Sequence, residues 1–207
     1  MREQTTSDWL DDLASKASAP GGGAAAAMNA AIGAALVSMV CNLTIGKPKY
    51  AEHEDTMRKV LSRATQLRTE ALRLAEADAE AFAGVAAAYG LARDTDEAKA
   101  ARRQAIQEAL VGAADVPLRT AALAAEVIGL AGQIAAGANV NVLSDVAVAA
   151  DSARAALRSA EMNVNVNLSS MADAGRREAL AARLSTHVKA IDDADEIVVA
   201  VAERIEK

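Results

Sequence analysis

The stretch PGGGAAAAMNAAIGAALVSMVCNLTIG, from Pro20 to Gly46, limits what this chain can fold into more than any other. Pro20 cannot continue a preceding helix, and Gly21, Gly22 and Gly23 let the backbone pass close to a neighbour. From Ala24 no charge occurs until Lys47, so a helix here is apolar on every side and belongs in the middle of a bundle or in a membrane. It is long enough to span a bilayer. Yet eight of the twelve residues from Ala24 to Ala35 are Ala, and Asn29, Ser38 and Asn42 interrupt the run. Alanine gains little from lipid and lets helices approach closely, which predicts a central helix over 24–44, almost fully buried in protein. The glycine corner before it has two readings. It is a hinge, or it opens a helix N-terminus whose unpaired N–H groups and dipole suit an anion.

The chain has 207 residues, of which 52% are hydrophobic but only 2% aromatic, with three prolines. That composition reads as one all-α domain, residues 1–207, with close helix packing. A net charge of −6 gives no basic face for nucleic acid. His53 and His187 are isolated, so no metal site is expected. The single Cys41 excludes an intrachain disulfide and suits a reducing compartment. No charged and apolar leader opens the chain, so a cytoplasmic location is expected.

Thr6-Ser7-Asp8 reads as an N-cap, with Trp9, Leu10, Leu13 and Ala17 giving a short amphipathic helix that ends near Pro20. Residues 51–90 read as one long helix. Val60, Ala64, Leu67, Ala71, Leu74, Asp78, Phe82 and Val85 step by three or four along it and share one face. Asp78 is thus a carboxylate within an apolar stripe. Burial of an ionised Asp is costly unless it is paired, caps a neighbouring helix or is put to use, and desolvation raises its pKa.

Asp94 or Thr95 caps a helix to about Ala114, and Pro117 starts another that runs over 118–136. Gly137 stops it, and Ser144 or Asp145 is expected to cap the next. Asn163 to Leu168, NVNVNL, reads as a polar helix end against the core. Asp173 caps a last helix with Leu184, Val188, Ile191, Val198, Val201 and Ile205 on one stripe.

Seven short motifs occur in order: PGGG at 20–23, GKPKY at 46–50, DAEAF at 78–82, Arg102 with AIQEA at 105–109, VPL at 116–118, NVNVLSD at 139–145 and NVNVNL at 163–168. Together they resemble the cyclodeaminase domain of formiminotransferase-cyclodeaminase and its free-standing relatives, which include bacterial methenyltetrahydrofolate cyclohydrolases. The resemblance covers about residues 5 to 205. Ala138, Pro48 and Val146 depart from the family pattern, at positions that bear on loop shape.

The resemblance implies an up-and-down helical bundle, homodimeric assembly and a tetrahydropteroyl substrate near the glycine corner, with Asp78 catalytic. A 5,10-methenyl carbon is a cationic amidinium open to water, and a desolvated carboxylate can serve as general base there. The amides of Asn139, Asn141, Asn163 and Asn167 match the donors and acceptors of a pterin edge. Lys47, Lys49 or Arg102 suit the glutamate carboxylates. Gly21, Gly22, Gly23, Tyr50, Ser144 and Asp145 complete the expected binding set, with no metal or redox cofactor. The first functional reading is therefore hydrolysis of 5,10-methenyltetrahydrofolate to 10-formyltetrahydrofolate, which the lack of a transferase domain in this chain favours. The second is deamination of 5-formiminotetrahydrofolate with ring closure. The third is a non-catalytic dimerisation module. The glycine corner and the Lys47–Tyr50 loop lie at opposite ends of one helix, roughly 30 Å apart at about 1.5 Å per residue, so they are expected to meet only across two antiparallel subunits.

Overall fold

A computed structural model describes residues 4–206. Seven α-helices follow one another: α1 Thr6–Ala14, α2 Gly22–Thr44, α3 Glu54–Tyr89, α4 Asp96–Ala135, α5 Leu143–Ser169, α6 Ala174–Val188 and α7 Ala190–Ile205. Two 3-10 turns, Pro48–His53 and Val140–Val142, precede α3 and α5. Among the described residues there is no strand. Short connections make successive long helices antiparallel. α2 packs on α3 and α5, and each of these packs on α4, which closes a four-helix ring; α6 and α7 cover α4 and α5.

The small side chains of α2 explain its place in the ring. Ala27, Ala30, Ala34, Val37, Val40 and Cys41 are completely buried. A methyl group on Gly33 would stand 3.0 Å from the Ala149 carbonyl, so the α2 and α5 backbones almost touch. Burial pushes the Cys41 thiol up to about 11, which keeps it neutral. Along α3, Val60, Ala64, Leu67, Ala71 and Leu74 fill the centre; fully burying a Leu or Val contributes about 1.5–3 kcal/mol each. Windows of α2 and α4 are long and apolar enough to cross a membrane, yet 61% and 56% of them are buried inside the bundle. Packing accounts for their hydrophobicity.

Several expectations are corrected. α2 is not almost fully buried: Ile32, Met39 and Leu43 are 46%, 36% and 42% exposed on one side. The Asp78 stripe leaves the core after Ala75, and Phe82 is exposed. The helix expected over 51–90 starts at Glu54, after a 3-10 turn opened by Pro48. α1 stops at Ala14, capped at its start by the Thr5 hydroxyl, which accepts from the Asp8 N–H. α4 does not break at Pro117 but runs through it. Neither Ser144 nor Asp145 caps α5; both sit in its first turn behind an N-cap at Val142. The last helix is two, α6 and α7, parted at Lys189.

Candidate active site

The start of α2, the last third of α3, the first half of α4 and the end of α5 meet at one end of the bundle. Between them lies a cleft of about 360 Å³. Its floor is the Gly21–Gly23 corner and Asp78, and Phe82, Tyr89, Asn163 and Asn167 stand around it.

Asp78 and Gly23 are in direct contact. A methyl group on Gly23 would lie 2.0 Å from Asp78 Oδ1, so only glycine leaves room for the carboxylate. Asp78 Oδ2 accepts a hydrogen bond of 3.1 Å from the Ala24 N–H, one of the orphan donors at the start of α2. The anion expected at the glycine corner is therefore supplied by the protein itself. Gly21, the N-cap, has no side chain with which to do it. Burial raises the Asp78 pKa above its ordinary 3.8, and the Ala24 hydrogen bond opposes this in part. The N–H groups of Gly22 and Gly23 find no acceptor among the described residues. The result is a half-buried carboxylate beside two free backbone donors, under an aromatic wall. Such a set can take a proton and hold an oxygen.

The expected site residues fall into two groups. Gly21, Gly22, Gly23, Asp78, Asn163 and Asn167 share the cleft. Arg102 stands at its margin: its Nε and Nη2 donate to the Tyr89 carbonyl at 3.2 and 3.0 Å, and the guanidinium lies 5.5 Å from the Tyr89 ring centre. Lys47, Lys49, Tyr50, Asn139, Asn141, Ser144 and Asp145 lie at the far end of α2, so one chain does not bring them to Asp78. There Asn139 is buried and works as a clasp. Its Nδ2 donates to the Leu43 carbonyl at 3.0 Å, its Oδ1 accepts from the Asn141 N–H at 3.2 Å and from the Tyr50 hydroxyl at 3.3 Å, and its own N–H donates to the Thr44 hydroxyl. Tyr50 accepts in turn from the Val140 N–H. Lys49 lies over the Tyr50 ring. Among the described residues no three His, Cys, Asp or Glu side chains could hold a metal ion.

Phe82, Tyr89 and Pro117 line the cleft but were absent from the expected binding set. Phe82 follows Asp78 by four residues and Tyr89 by eleven, so the helical spacing already placed both on the carboxylate's face.

The family model described as formiminotransferase-cyclodeaminase matches residues 5–186. The chain belongs to that family. Within it, the chain is 52% identical over 170 residues to a methenyltetrahydrofolate cyclohydrolase of Methylorubrum extorquens, covering 82% of both chains. It is 34% identical over 178 residues to the formimidoyltransferase-cyclodeaminase of Rattus norvegicus, matching 86% of this chain but 33% of that longer protein. The family fold is seen in the crystal structure of a formiminotetrahydrofolate cyclodeaminase from Thermotoga maritima, which superposes with a TM-score of 0.89 at 27% identity. That match covers 100% of this chain and 99% of the other.

Proposed function

We propose that this protein is an enzyme that hydrolyses 5,10-methenyltetrahydrofolate to 10-formyltetrahydrofolate, with Asp78 as its general acid and base. The observation that carries the reading is the Asp78 carboxylate, desolvated, raised in pKa and set in an aromatic-walled cleft. The 52% identity to a named cyclohydrolase supports the substrate. Water adds to the amidinium carbon as Asp78 takes one of its protons. The neutral adduct then breaks its bond to N5, which receives the proton from Asp78, while the adduct hydroxyl loses its own proton to form the formyl group. One proton is released overall.

The same cleft supports the second reading. The Thermotoga maritima formiminotetrahydrofolate cyclodeaminase matches this chain over 100% of its length and 99% of its own, so a helical domain of this kind suits either reaction. With 5-formiminotetrahydrofolate, Asp78 would protonate the departing ammonia as the ring closes.

The enzyme is proposed to act in the cytoplasm as a homodimer. Ile32, Met39 and Leu43 of α2 and Val148, Met162 and Val166 of the adjoining α5 expose apolar side chains along neighbouring helices. Val166 also lines the cleft. A second copy laid antiparallel on this band would bring its Lys47, Lys49 and Tyr50 toward the glycine corner, where the cations suit the glutamate tail.

The deciding experiment follows loss of the near-ultraviolet absorbance of 5,10-methenyltetrahydrofolate with pure protein, beside an ammonia assay with 5-formiminotetrahydrofolate. Catalysed absorbance loss without ammonia release from the formimino compound supports hydrolysis, and ammonia release supports the second reading. Neither activity at substrate saturation would leave the dimerisation module.

A further inference from the structure

Pro117 stands inside α4 and has no N–H. The carbonyl of Ala113, four residues earlier, therefore lacks the donor that an interior helical carbonyl receives. Asn167 of α5 supplies one. Its Nδ2 donates to the Ala113 carbonyl at 3.2 Å and to the Asn163 carbonyl at 2.9 Å. Both partners are backbone oxygens, which can only accept, so the amide has a single possible orientation and both its N–H groups are spent. Oδ1 is the polar atom left over. No described residue donates to it, and Asn167 and Pro117 both line the cleft. Asn163 is oriented alike, its Nδ2 donating to the Ser159 carbonyl at 2.8 Å.

We propose that Pro117 is a positioning residue that, by withholding a donor from Ala113, locks Asn167 so that it meets the bound ligand only as a hydrogen-bond acceptor for a ring N–H. The ligand half of this inference rests on the folate reading above; the lock does not. An asparagine free to turn presents either a donor or an acceptor and discriminates poorly. A locked one rejects a ring that offers an acceptor at that point, because two acceptors would then face each other without a proton between them.

Pro117→Ala restores the N–H, lets α4 reclaim the Ala113 carbonyl and leaves the amide held only through the Asn163 carbonyl, so that it can turn more readily. The expected result is a KM for 5,10-methenyltetrahydrofolate raised about tenfold, the size of one hydrogen bond, with kcat lowered less than about twofold. Asn167→Ala is expected to raise KM to the same degree. The double variant should do no worse than either single one, because the proline acts through the asparagine. Multiplying losses in the double variant, or an unchanged KM in Pro117→Ala, would overturn the proposal. A second readout needs no ligand: the side-chain amide hydrogens of Asn167, followed by NMR exchange, should be protected in the wild type and exchange faster in Pro117→Ala, where one of the two bonds is lost. Equal protection in both proteins removes the lock. Wild-type protein that neither binds nor converts the folate sinks the proposed function and the ligand half of this inference, while the exchange readout still decides the lock.

Discussion

Asp78 carries two duties that a single substitution can separate. It terminates α2 by accepting from Ala24, and it is a desolvated acid in the cleft. Asp78→Asn keeps an oxygen for Ala24 but loses the proton acceptor, so turnover should fall by about 10²–10⁴, the usual share of a general base, with folate binding intact. Its melting temperature at neutral pH should equal or exceed the wild type. The sign follows from linkage: a carboxyl whose folded pKa is raised contributes stability below its ordinary 3.8, and loses it as pH rises through the folded value. The wild type therefore bears that loss at neutral pH, and the gap between the two proteins should close toward pH 3.8. In the wild type the acidic limb of kcat/KM should lie above the same figure. Turnover near normal in Asp78→Asn would remove it as the catalytic group. Gly23→Ala gives a complementary prediction. The added methyl must push the carboxylate aside, so activity should drop toward that of the Asp78 variant while circular dichroism still reports a folded bundle. Full activity would mean that the Gly23–Asp78 contact has no bearing on turnover. The acid on the stripe was legible in the sequence because helical spacing is regular. Its contact with the glycine corner was not, since 54 residues separate Asp78 from Ala24.

Among the elements, α4 shows where local chemistry misleads. A proline ordinarily ends a helix because its neighbour four back loses a donor. That rule divided α4 at Pro117, whereas Asn167, an element away, satisfies the orphan carbonyl and the helix continues. The NVNVNL segment was readable as a polar helix end, but which carbonyl its amides would serve was not. The NVNVLSD segment shows the opposite case. The family resemblance placed its first asparagine at the ligand, and within one chain the fold uses it to tie the end of α2 to the approach to α5. Asn139→Ala strips the Leu43 carbonyl and the Asn141 N–H of their partner, so unfolding in urea should show a loss of about 1–3 kcal/mol. A change under 0.5 kcal/mol, within the range of ordinary surface substitutions, would show that water replaces the clasp.

On the scale of the whole molecule, the buried central helix was legible in its lack of charge, but its exposed side was not, because Ala, Ile and Met read alike whether they face a neighbouring helix or the surface. Ile32 and Met39 of α2 and Met162 and Val166 of α5 are exposed, and Val166 also lines the cleft. If the proposed dimer forms on this band, Ile32→Asp and Met162→Lys should each halve the mass seen in light scattering and cut activity, because the second copy's Lys47 loop would be lost with it. A wild-type protein that is monomeric at working concentration and fully active would overturn the shared-site arrangement.

Trp9 is the chain's one tryptophan. It is buried, yet α1, which carries it, makes only sparse contact with the other helices. Intrinsic fluorescence should therefore report the docking of a short N-terminal arm and register little of the bundle behind it. A thermal scan watched at the indole emission is expected to turn over below one watched by far-ultraviolet dichroism, because weakly attached segments open first. Coincident curves would mean that arm and bundle melt as one unit. Ser18 and Ala19, in the segment joining that arm to α2, line the cleft, so the same optical signal offers a native probe of ligand entry.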